Sequence, residues 1–77
     1  MEIWIVTSNY GMVMPFSTKE KALEFVREEA NKNNFKGLYI EDNQTNIIRC
    51  EFTYKNPFTD GNSFGHFLVV HHIVDKY

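Results

Sequence analysis

One helical signal stands among five strand-like runs, and that imbalance limits what this 77-residue chain can fold into more than any other feature. The helix is read over residues 17–33. Ser17-Thr18-Lys19-Glu20 has the form of a capping box, in which Ser17 accepts from the Glu20 amide and Glu20 reaches back to the Ser17 amide. At about 100° per residue, Ala22, Leu23, Phe25, Val26 and Ala30 fill one arc about 160° wide, while Glu20, Lys21, Glu24, Arg27, Glu28 and Asn31 occupy the other side. The run Asn31-Lys32-Asn33-Asn34 is expected to fray and end the helix.

The remaining segments read as strands. Residues 2–7 are β-branched and aromatic, with Ile3 and Ile5 on one face and Trp4 and Val6 on the other. Both faces are apolar, which predicts a central position. Ser8-Asn9-Tyr10-Gly11 is turn chemistry, with Gly11 free to take positive φ. Residues 12–16 return as the second arm of a hairpin, and Pro15, which has no N–H, predicts an edge. A third strand begins at Leu38-Tyr39-Ile40, and residues 42–46 read as a turn. Residues 47–55 alternate most cleanly: Ile48, Cys50, Phe52 and Tyr54 share a buried face, and Ile47, Arg49, Glu51, Thr53 and Lys55 a wet one. A loop is read over residues 56–65. The last strand, 66–74, is apolar on both faces and predicted to be central.

The order β-β-α-β-β-β implies one α+β domain, with the helix packed on an antiparallel sheet. One short helix covers only one side of five strands, yet several strands are apolar on both sides. A symmetric homodimer through the uncovered face is the expected remedy. Composition agrees that help is needed. A chain this small hides only about 60% of its unfolded surface, and its one cysteine, Cys50, permits no internal disulfide. Seven Phe, four Tyr and one Trp supply dense aromatic packing instead.

Several function classes fall away on the same reading. The formal charge of −2 gives no basic excess for nucleic acid. Tyr10, Tyr39, Tyr54 and Trp4 lack the surrounding cations that a base-stacking platform needs. No apolar run is long enough for a helical membrane span, and the N-terminus shows no targeting pattern; a cytoplasmic protein is expected. Phe, Tyr, Met, Ile, Asn and Lys make 34 residues against 10 for Gly, Ala, Arg and Pro, a codon bias that points to a low-GC bacterium or one of its phages.

No catalytic or cofactor motif is present. His71 and His72 point to opposite faces of one strand, and His66 and His72 share a face about 20 Å apart; they are read as structural or interface histidines, without metal. Cys50 is read as core. Asp60-Gly61-Asn62 lacks the spaced acids of a calcium loop. The expectation is therefore a non-enzymatic protein-interaction module, possessing no cofactor, such as a phage or mobile-element accessory protein that binds a host protein. Phe58 and Phe64, aromatic residues in a polar loop, are its candidate contacts, with Tyr54 beside them and Trp4 as a dimer contact. The alternative is a small-ligand-binding regulatory domain with a pocket between the 56–65 loop and the sheet, using His66, His72 and Glu29, the one carboxylate inside the apolar arc of the helix.

Overall fold

The structure, a computed structural model, describes residues 2–43, 46–59 and 61–73. Five strands and one helix follow in the expected order: β1 (Glu2–Ser8), β2 (Val13–Phe16), α1 (Lys19–Lys32), β3 (Lys36–Glu41), β4 (Ile47–Lys55) and β5 (Asn62–Ile73). All pairs are antiparallel, in the spatial order β2-β1-β5-β4-β3. The N-terminal and C-terminal strands are therefore neighbours, and β5 is the middle strand. The edge position of β2 and the central position of β5 agree with Pro15 and with the doubly apolar 66–74 run. Val74 lies outside the described residues, as do Gln44 and Thr45 of the turn and Asp60 of the loop.

The helix connects the two opposite edges of the sheet. Four strand spacings of about 4.8 Å make about 19 Å, and a 14-residue helix is about 21 Å long. Its length therefore matches the width it must cross. Ala22, Val26 and Ala30, on one stripe, are buried against Val6, Ile48, Cys50, Phe52, Phe67 and Val69. Leu23 and Phe25 pack around them, as the apolar arc requires.

Both helix ends differ from expectation. The N-cap is Thr18, whose Oγ1 accepts from the Lys21 amide at 3.2 Å, so the cap falls one residue after Ser17. With Lys21 at the third helical position, no carboxylate reaches back, and the capping box predicted at Ser17 and Glu20 is replaced by a simple cap. The C-terminus is locked where fraying was expected. Asn34 sits at φ 57, the Phe35 amide donates to the Ala30 carbonyl at 2.8 Å, and the Asn34 amide to the Asn31 carbonyl at 3.2 Å. These two bonds form a Schellman motif. It swings Phe35 into the core, where its ring stacks on Phe52 at 4.0 Å.

Strand ends also moved. β3 begins at Lys36 rather than Leu38, because Gly37 at φ 63 admits a bulge: Gly37 and Leu38 together face Phe52. β5 begins at Asn62, so residues 62–65, read from sequence as loop, are strand. Gly65 pairs with Phe52, and the Phe52 ring lies over it so closely that a Cβ there would come within 2.5 Å of the ring. The absent side chain is what lets Phe52 and Phe35 stack above the sheet.

Candidate interaction surfaces

Strand parity sorts the candidate residues onto two sides. Val6, Ile48 and Phe67 face the helix, so Trp4, Tyr54 and His71 face it too. Ile3, Ile5, Ile47, Arg49, Glu51, Phe64, His66, Leu68, Val70 and His72 look the other way, onto a face that no element of the described chain covers.

This sorting places two of the four predicted contacts, Trp4 and Tyr54, on the helix side. Trp4 is half-buried on the helix side, its ring stacked on His71 at 4.2 Å; it cannot contribute to a dimer through the opposite face. His71 Nε2 lies 3.0 Å from Glu2 Oε1. Tyr54 is half-buried beside Phe35 and Phe52, as a wall of the aromatic cluster rather than a free contact. The other two stand in solvent: Phe58 is 93% exposed and Phe64 83%.

Their setting is a short arm. β1 ends at Ser8, opposite Phe67, and the β3 register begins at Lys36, opposite Thr53. Beyond those points Tyr54–Lys55 and Asn62–Ser63 pair only with each other. A two-stranded piece is marginal alone, so its root and tip need anchoring. At the root, Asn9 donates its amide to the His66 carbonyl at 3.2 Å and accepts the His66 amide on Oδ1 at 3.1 Å. At the tip, Asn56 accepts the Phe58 amide on its side chain at 2.9 Å and donates Nδ2 to Ser63 Oγ at 3.0 Å. Asn56 also donates its backbone amide to the Gly61 carbonyl at 2.9 Å. Phe58 is thus held outward by a turn with defined bonds. Asn9 and Asn56 were invisible to sequence reasoning as organisers; a turn asparagine flanked by strand residues is the signal that marks them.

The residues of the alternative pocket are not brought together. Glu29 sits on the helix, on the far side of the sheet from His66 and His72, and its carboxylate accepts from Asn33 Nδ2 at 3.1 Å. His66 instead lines an open hollow with Arg49, Glu51 and Leu68, of about 230 Å³, below the roughly 300–1,000 Å³ usual for small-molecule sites. His72 is exposed on the same face as His66. Cys50 is fully buried, and burial pushes its thiol up to about 11, with Arg27 pulling the other way and Asp42 adding to the rise. A thiol held neutral in this way is no nucleophile. Among the described residues no group of three His, Cys, Asp or Glu is placed to hold a metal ion, and no helix is long and apolar enough to cross a membrane.

Comparison with family models, with curated proteins and with solved structures gives no match.

Proposed function

We propose that this chain is a small non-enzymatic protein-interaction module whose contact element is the β4–β5 arm. The observation that carries the proposal is the pair of phenylalanines: two large apolar rings stand almost wholly in water on a hydrogen-bonded turn and a strand. Holding them there leaves the cost of exposed apolar surface unrelieved, about 25 cal/mol for each Å². Aromatic side chains on a pre-organised scaffold are the usual anchors of protein interfaces, because little freedom is lost when they dock. The partner belonging to this reading is a host protein, and the chain a phage or mobile-element accessory protein acting in the cytoplasm; the AT-rich residue usage and the lone, unpaired thiol support that setting.

The test uses Phe58→Ala and Phe64→Ala, singly and together, as baits in a nuclease-treated lysate of a low-GC bacterium. The wild-type chain is expected to retain a stoichiometric protein, and the double variant to lose it by about 30-fold or more, the loss typical of truncating an interface anchor. The melting temperature should stay unchanged, since neither ring is packed. A large fall in melting temperature would assign the rings to the core, and equal capture by both baits would remove the arm as the contact.

A further inference from the structure

The sheet face opposite the helix, which carries Phe64 at its arm end, presents a second surface centred on other residues. Register aligns Pro15, Ile5, Val70 and Ile47 in one row across β2, β1, β5 and β4. The adjoining row is Val13, Thr7, Leu68, Arg49 and Glu41, and Ile3 stands beside His72. Val13 is 65% exposed, and Ile3, Ile5, Leu68 and Val70 are only partly covered, by their own neighbours in the sheet. The first row is wholly apolar, and Val13, Leu68 and Ile3 extend it, the kind of exposed apolar patch that marks an interaction site. We propose that the occupant of this face is a second copy of the same chain, packed sheet on sheet.

Three observations select that occupant. The first is area. Five strands at about 4.8 Å and some seven residues at about 3.4 Å give a face of about 570 Å², and two such faces bury about 1,140 Å², above the roughly 1,000 Å² that a biological interface needs. The second is charge. The polar part of the face holds Arg49 and Lys36 beside Glu41 and Glu51. A strongly acidic or basic partner meets its own sign on part of this surface, whereas a copy brings both signs to both. The third is that the edges are closed to the other route of self-association. β2 has four residues and includes Pro15, which has no N–H, and β3 carries the bulge at Gly37. Self-association is thereby directed to the face. Because β5 is the middle of five strands, a two-fold axis that overlaps whole faces passes close to it, and Leu68 and Val70 meet their own counterparts.

Light scattering after size exclusion tests this on the full chain, at about 100 µM, a concentration that populates even a micromolar dimer. The wild type should run at twice the chain mass. Val70→Lys and Leu68→Glu should run at the chain mass with an unchanged circular dichroism spectrum, while Phe58→Ala remains dimeric. A monomeric wild type, or a Val70→Lys protein that stays dimeric, would overturn the proposal. Should the charged variants fail to fold, Val70→Cys decides. Facing sheets lie about 10 Å apart, so a short bismaleimide should join two Val70→Cys chains and leave Lys55→Cys chains, at the far end of the sheet, unjoined; no cross-link at position 70 would equally overturn it. The arm and the face fail independently, since Phe58→Ala reports on the arm alone and Val70→Lys on the face alone.

Discussion

A Cβ on Gly65 would sit 2.5 Å from the Phe52 ring, which is itself held between Gly65 and Phe35. Neither ring can retreat without opening the core, so Gly65→Ala is expected to lower stability by about 1–3 kcal/mol, the usual range for overpacking. Denaturant unfolding measures it; an unchanged midpoint would mean the stack slides freely. Nothing in the sequence marks this glycine, which reads as one more loop residue, because its neighbour is chosen by the β4–β5 register and not by anything adjacent in the chain. Cys50 is the opposite case: alternation alone placed it in the core. Its thiol titrates at about 11 when folded, against 9.0 as a free group, so the unfolded chain releases a proton that the folded chain keeps. Its contribution is whole below about pH 9 and is lost as the pH rises through about 11. Wild type should therefore weaken more steeply than Cys50→Ala over that interval in urea unfolding. Tyr10, whose phenol burial and then the Glu29 carboxylate also push up, titrates in both proteins and cancels in the difference. Parallel pH curves would contradict the assignment.

At the scale of elements, both helix ends make separable predictions. Thr18→Ala should cost about 1 kcal/mol, as loss of an N-cap does, while Ser17→Ala should cost little; thermal unfolding of the two variants reads which residue caps. Asn34 holds φ 57, a conformation that strains an ordinary side chain by about 1–2 kcal/mol, so Asn34→Ala should destabilise and Asn34→Gly should not. Equal melting temperatures for the Ala and Gly variants would argue that the Schellman turn is not what ends the helix. The sequence carried the kinds of element and their order because hydrophobic period is a local signal: 3.6 residues in Ala22, Val26 and Ala30, and two residues in Ile48, Cys50 and Phe52. It misplaced their ends because those depend on distant partners. Residues 62–65 are strand only because Phe52–Lys55 lie alongside them, and Gly37 joins β3 only because a bulge lets it. The same reason explains the candidate contacts. Phe58 and Phe64 were legible as aromatic residues in polar company. Trp4 was misjudged because sequence parity separates two faces without saying which one the helix takes, and Val6, its partner in parity, lies under the helix.

For the whole molecule, one helix on five strands leaves a two-layer domain 17 Å thin and 52 Å long, with one side of the sheet uncovered among the described residues. A second sheet laid on that side supplies the missing layer, and the stability of such a protein includes the free energy of association. Unfolding then produces two chains from one folded particle, and mass action makes the midpoint depend on concentration: each tenfold rise in protein adds about 1.4 kcal/mol to the apparent stability of the dimer. The expected outcome is a denaturation midpoint that climbs steadily over a hundredfold range of concentration for the wild type and for Phe58→Ala. Val70→Lys should give one midpoint at every concentration. Placing Lys there relieves a monomer of a half-exposed valine and denies a dimer its centre, so its effect on stability should reverse sign with concentration, neutral or favourable when dilute and unfavourable when concentrated. A wild-type midpoint that does not move with concentration would leave the bare face without its second layer, and the domain would have to stand on the aromatic stack and the helix stripe alone.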